Sequence, residues 1–244
     1  MAGQQPLFRL RIAYAKQGAG RYLSHLEVQR ALTRMVRRAD LPYAVSQGFN
    51  PQMRLATGPA LSVGTSGERE YCDLIVRNYV KPADALRQLQ EAQSSYLPVL
   101  DLGYVGLKEK ALNAAIVAQE ICVTMDNAPA GLNQQVLQAG LSALRARDSL
   151  EIEHKGKMKV YDSATHVPKD IKVVNEGSAV LMTLIMRISN QGSLRPDALL
   201  HALWHACGLD ESLPIGNGND VGLLRMDRMA LYVEDEEGNL KTPL

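Results

Sequence analysis

The sequence predicts an α+β protein made of two tandem ferredoxin-like (split βαβ) sandwich domains, and three observations predict it. The first half alternates two-residue and helical periods in the order β-α-β-β-α-β. The second half repeats that order less cleanly and without visible sequence repetition. Gly106–Asn113 reads as the connection between them, so the expected division is 1–108 and 113–236, with 237–244 as a polar tail.

Each element has its own signal. Leu7–Tyr14 sets Phe8, Leu10, Ile12 and Tyr14 on one face of a strand. A helix follows from His25 to about Ala39. Its start is marked by Ser24 and Glu27, a capping box in which each side chain satisfies the other's backbone amide. Val28, Ala31, Leu32, Met35 and Ala39 form its apolar stripe. Met53–Val63 is apolar but interrupted by Gly58-Pro59, which predicts an irregular strand. Glu70–Val76 and Val99–Val105 read as strands, and Pro82–Ser94 between them as a helix with proline in its first turn.

In the second half, Ala115–Met125 predicts a strand and Leu132–Arg147 a helix. Ser149–His154 and Lys157–Tyr161 predict a hairpin turning at Lys155-Gly156. A loop at Ser163–Lys169 and a short extended piece at Ile171–Val174 precede a strong strand at Ala179–Ile188. Pro196–Cys207 reads as a helix and Arg225–Val233 as the last strand.

With 46% hydrophobic and 22% charged residues, the 244-residue chain can bury one large core or two small ones and is neither disordered nor fibrous. The longest apolar run, Ala179–Met186, is too short to span a bilayer, and the N-terminus lacks the features of a signal peptide. Cys72, Cys122 and Cys207 are widely spaced and odd in number. That argues against a disulfide framework or a cysteine zinc site and for a reduced, cytoplasmic setting, with each thiol in the core. No membrane partner is expected.

Charge is unevenly distributed. Residues 1–60 carry Arg9, Arg11, Lys16, Arg21, Arg30, Arg34, Arg37, Arg38 and Arg54 against only Glu27 and Asp40, an excess of seven, although the whole chain is +1. Arg30, Arg34, Arg37 and Arg38 fall within roughly a 100° arc of the first helix, opposite its apolar stripe. Without interleaved carboxylates such a ridge repels itself unless an anion is present, which points to phosphate. A solvated face is the alternative. Tyr22, Tyr43, Phe49 and Tyr71 lie near the block and are candidates either for stacking on bases or for ordinary packing. Ser46-Gln-Gly-Phe-Asn-Pro-Gln52 is a loop by composition, with Gly48 permitting unusual backbone angles.

Enzyme motifs are scarce. There is no P-loop, no GxGxxG, no GxSxG elbow and no CxxxCxxC cluster set. His201 and His205 are four apart, but without a glutamate in an HExxH arrangement they suggest a core or surface pair rather than a metal site. His25, at the first helical position, is a candidate acid/base because a helix N-terminus lowers a histidine's pKa and directs amides at an anion. A purely structural histidine is the alternative.

Several of these segments together resemble a known family. They are Arg21-Tyr-Leu-Ser-His-Leu-Glu27, Arg37-Arg38-Ala-Asp-Leu-Pro42, Ser46-Gln-Gly-Phe-Asn-Pro51, and Leu61-Ser-Val-Gly64 with Glu70-Tyr71. The chain is similar there to the bacterial radical SAM-linked protein family, a domain of unknown function found beside or fused to a cobalamin-type radical SAM protein. Ser193-Leu-Arg-Pro196 extends the likeness into the second half. The resemblance implies no cofactor in this chain and a partner carrying an iron–sulfur cluster, SAM and, being of the cobalamin type, cobalamin. It also implies a setting in RNA metabolism. The family usually has histidine after Asn-Pro, where this chain has Gln52, so any role of that histidine does not carry over.

Three functions are therefore expected in order. The first is an accessory RNA-binding module that presents ribosomal or transfer RNA to a radical SAM partner. In it Arg21, Arg30, Arg34, Arg37, Arg38 and Arg54 contact nucleic acid, and Ser24, Ser46, Gln47, Gly48, Phe49, Asn50, Gln52 and Glu70 shape a pocket. The second is a ferredoxin-like endoribonuclease using His25, although the glycine-rich C-terminal loop typical of such enzymes is missing. The third is a protein-interaction scaffold for the partner without nucleic acid.

Overall fold

The structure, a computed structural model, describes residues 6–126, 128, 131–154, 156–189, 193–209 and 224–244, the side chain of His154 excepted. Its strands are β1 (Phe8–Lys16), β2 (Leu55–Thr57), β3 (Ser66–Val76), β4 (Val99–Val105), β5 (Ile116–Met125), β6 (Ser149–His154), β7 (Lys157–Asp162), β8 (Ile171–Glu176), β9 (Ala179–Arg187), β10 (Leu224–Glu234) and β11 (Leu240–Lys241). Its α-helices are α1 (His25–Arg38), α2 (Pro82–Ala92), α3 (Leu112–Ala115), α4 (Gln134–Arg145), α5 (Ser163–His166) and α6 (Pro196–Ala206). The protein is therefore of mixed α+β class. It divides into a first unit, Met1–Ile116 with Ala230–Leu244, and a second unit, Val117–Met229.

In the first unit β1 lies between β4 and β3, antiparallel to both, and β2 adds antiparallel to β3. One sheet face carries Leu10, Ile12, Tyr14, Cys72, Leu74 and Val76. It packs against Val28, Leu32, Met35 and Val36 of α1 and Ala85 and Leu89 of α2. The alternation expected for β1 is thus its buried register, and the Ser24–Glu27 capping box starts α1.

The opposite face of that sheet is also covered. Arg11 Nε and Nη2 donate to the Asp73 carboxylate at 2.8 and 2.9 Å, and its Nη1 donates to the Pro243 carbonyl at 3.1 Å. A buried guanidinium is tolerable only when its donors are satisfied in this way. Arg9 donates to the carbonyls of Leu107, Glu109 and Lys110. Leu244 sits so close to Gly103 that a Cβ there would collide with it. Residues 237–244, expected as a polar tail, therefore contain β11, which pairs with β10 through Val233↔Lys241 and Glu234↔Leu240, and two residues that close this face.

In the second unit β5, β9 and β8 run antiparallel in that order, and β10 continues the sheet beside β5. Arg228 Nη1 there donates to Gln119 Oε1 at 3.2 Å. Helices α4 and α6 cover one face through Leu137, Leu141 and Leu144 and through Leu199, Leu200, Leu203 and Trp204. Asn133 Oδ1 caps α4 by accepting from the amides of Gln135 and Val136. The hairpin β6–β7 forms a separate two-stranded sheet, and part of its turn lies outside the described residues. Where the sequence predicts a loop at 163–169, the single turn α5 forms because Asp162 caps it, accepting from Thr165 N at 2.8 Å.

Candidate nucleic-acid interface

Arg30, Arg34 and Arg37 recur at i, i+4 and i+7 of α1 and so line one exposed stripe. Among the described residues none of them, nor Arg38 or Arg54, lies within ion-pair distance of a carboxylate. The acidic residue of the helix, Glu27, is engaged elsewhere: its carboxylate accepts from Ser24 Oγ at 2.7 Å and from Ser24 N at 2.8 Å. Those hydrogen bonds hold the Glu27 carboxyl below the usual range, with a smaller contribution from the charge of Arg30. Arg38 remains exposed but donates from Nε and Nη2 to the Ala92 carbonyl, tying α1 to α2.

The segment after α1 builds the Ser46–Gln52 loop. Asp40, at φ 52°, turns the chain out of the helix. Ala44 N then donates to Ile75 O, Ile75 N to Arg54 O, and Arg54 N to Ala44 O, so three backbone segments are knitted together beside the end of β3. Val45 pairs with Met53, Ser46 N donates to Gln52 O at 2.8 Å, and Gln52 N donates back to Ser46 Oγ at 3.0 Å. Gly48 has φ 130°, open to glycine, and Phe49 beside it is 112% exposed. Gln52 Nε2 donates to Asn50 Oδ1 at 3.0 Å, and Gln47 is exposed.

Ser24, His25, Arg21 and Glu70 lie at the other end of α1. The 14-residue helix is roughly 20 Å long, and Glu70 and Val76 are about as far apart along β3. His25 and Glu70 line a cavity of about 20 Å³ with Tyr14, Lys16, Val28 and Gly58, room for about one water. His25 Nε2 lies 3.3 Å from the buried Thr57 Oγ1. Lys16, also buried, donates to Arg21 O at 3.0 Å, and Arg21 Nε donates to Gly64 O at 2.7 Å. The residues expected to shape one pocket thus occupy two places: Ser24 and Glu70 at the start of α1, with Arg21 and His25, and Ser46–Gln52 beyond its end, with Arg54.

Of the four aromatics named from sequence, Tyr71 is fully buried with its hydroxyl accepting from Arg69 Nε, and Tyr43 packs on the core of this unit. Tyr22 and Phe49 are exposed. Sequence reasoning missed Arg77 and Tyr79, both exposed and just past β3, where Arg77 N donates to Pro42 O. The signal in sequence is an Arg-x-Tyr between the Glu70–Val76 strand and the helix that starts at Pro82. Burial raises the pKa of the Cys72, Cys122 and Cys207 thiols; Cys72 is fully buried and the other two are half-buried. His201 and His205 are both exposed on α6, and no cluster of three or more His, Cys, Asp or Glu able to hold a metal occurs among the described residues. Nor, among them, is any helix long and apolar enough to cross a membrane.

Comparison with known proteins places the chain in a family and little else. No curated protein matches it. A crystal structure of a Cbf5-Nop10-Gar1 complex is similar at TM-score 0.47 and 12% identity, over 93% of this chain and 50% of that one, so this chain spans about half of that neighbour's length. A family model described as an uncharacterized protein conserved in bacteria (DUF2344) matches residues 9–196, from β1 to the start of α6. The chain belongs to that family.

Proposed function

We propose that this protein is an RNA-binding module that presents RNA, ribosomal or transfer RNA, to a radical SAM partner in the cytoplasm. The observation that carries the RNA-binding part is the stripe of Arg30, Arg34 and Arg37, with Arg54, all exposed and without a carboxylate partner among the described residues. Guanidinium groups in this state keep their counter-ions until a polyanion displaces them, and forked donors suit phosphate oxygens. Arg38 keeps part of its donor fork beyond Ala92 and joins the same face. The partner rests on the family resemblance of the Arg21–Glu27, Arg37–Pro42 and Ser46–Pro51 segments.

The architecture behind this reading is a pair of ferredoxin-like units. In its favour are the strand orders β4-β1-β3-β2 in the first unit and β10-β5-β9-β8 in the second, each with helical crossovers. The endoribonuclease alternative draws no support from His25, whose Nε2 lies against Thr57 Oγ1 and apart from the Arg30, Arg34 and Arg37 stripe. Arg21, Ser24 and Glu70 are assigned to framing α1 rather than to contacting RNA.

Fluorescence anisotropy of labelled RNA, titrated at several salt concentrations, tests the proposal. The expected result is binding at low salt that weakens steeply as salt rises. Absence of binding at low salt would overturn it. Co-purification with the partner that survives nuclease treatment and fails on charge reversal at Arg34 and Arg37 would favour the scaffold instead.

A further inference from the structure

We infer that Phe49 and Tyr79 are stacking platforms for unpaired bases, so that the preferred ligand of the cationic face is single-stranded RNA; this rests on the RNA-binding reading above. Phe49 stands at the tip of a loop locked by two Ser46–Gln52 hydrogen bonds and by the Gln52–Asn50 contact. Among the described residues the Phe49 ring has no aromatic partner and is fully exposed, yet its backbone is held in place. Tyr79 is 58% exposed and lies stacked on Tyr104, ring centroids 5.0 Å apart at 26°. Tyr104 is itself clamped, its hydroxyl accepting from Val80 N at 3.0 Å and donating to Val80 O at 2.9 Å. Phe8 meets both tyrosine rings edge-on, at 5.9 and 6.0 Å. Tyr79 is thus an exposed ring held against a second one before any ligand arrives.

Exposed arginines lie close to both rings along the chain. Arg54 anchors the foot of the Phe49 loop through Ala44 and Ile75, and Arg77 precedes Tyr79 by two residues. Exposed aromatic rings and exposed arginines together offer the two chemistries a single strand presents, bases to stack and phosphates to pair. In a duplex the bases are already stacked on one another and cannot reach such rings. A protein partner would be favoured by a continuous apolar surface, whereas the exposed chain neighbours of these rings include Gln47, Asn50, Gln52, Arg77 and Asn78, all polar.

The test is anisotropy with a labelled 12-nucleotide single-stranded RNA and with the same strand annealed to its complement. Phe49→Ala and Tyr79→Ala are each expected to weaken single-strand binding about tenfold while leaving the salt slope and duplex affinity unchanged. Phe49→Trp is expected to restore binding. Wild-type affinity in both alanine variants, with the salt slope intact, would overturn the stacking assignment and leave the RNA-binding reading standing. Lack of any RNA binding by the wild type would overturn that reading as well. Alanine variants that bind RNA normally but lose the protein partner would assign the rings to a protein interface and overturn the inference.

Discussion

Two groups of cations in the first unit, drawn from the same basic stretch of sequence, meet opposite fates. Arg9, Arg11, Lys16 and Arg21 all use their donors internally, on the carbonyls of 107–110, on Asp73 and Pro243, on Arg21 O and on Gly64 O. Arg30, Arg34, Arg37 and Arg54 are exposed and form no ion pair among the described residues. The difference follows from the element each group occupies. Strand alternation directs Arg9 and Arg11 to a sheet face that the C-terminal segment covers, while helical periodicity directs Arg30, Arg34 and Arg37 away from the core. Charge counted along a sequence is therefore not charge offered to a ligand.

Breaking each group should have a distinct signature. The largest effect is expected from Asp73→Ala, which leaves the Arg11 guanidinium buried and unpaired and should cost about 3–5 kcal/mol in chemical denaturation. RNA affinity per folded molecule should be unchanged; an unaltered denaturation midpoint would show that the pair is not structural. Next comes the double variant Arg34→Gln with Arg37→Gln. It should lose RNA affinity by more than tenfold in dilute salt and flatten the salt slope, with stability altered by no more than about 0.5 kcal/mol.

Smaller effects sharpen the contrast at the capped end of α1. Ser24→Ala removes the oxygen that accepts from Glu27 N and should cost about 1 kcal/mol of stability, read by thermal melting, without changing RNA affinity. The Glu27 carboxyl is held below its ordinary value in the folded state, so the stability it contributes is present at neutral pH. That stability is lost as pH falls below the ordinary value of about 4.3 and through the depressed one. The difference in melting temperature between wild type and Glu27→Gln should accordingly shrink on acidification; a gap that widens instead would contradict this role.

Much of the fold was legible because its signals are local. The capping box at Ser24 and Glu27, the alternation of Phe8, Leu10, Ile12 and Tyr14, and Pro82 in the first turn of α2 each need only a few neighbouring residues. What stayed hidden depends on distant partners. The burial of Arg11 requires Asp73 and Pro243, 62 and 232 residues away, so in sequence it looks like a solvent-facing cation. Ser66–Arg69 extends β3 beyond the expected Glu70–Val76 strand, because β1 runs on to Lys16 and supplies the pairing. The candidate site was half legible for the same reason. The stripe on α1 and the Ser46–Gln52 loop follow from composition and period. That Arg21 and Glu70 belong to the opposite end of α1, and that Arg77 lies beside Pro42, follows only from how distant segments pair with β3.

The salt dependence of RNA binding, compared between two sets of charge-neutralised protein, tests the central claim most directly. Replacing Arg30, Arg34, Arg37 and Arg54 together by glutamine should lower the slope of log affinity against log salt by about three, at roughly 0.7 per single-strand phosphate contact. Replacing Arg9 and Arg21 by glutamine should leave that slope as it is. Equal slopes in the quadruple variant and the wild type, or a slope carried by Arg9 and Arg21, would contradict the account.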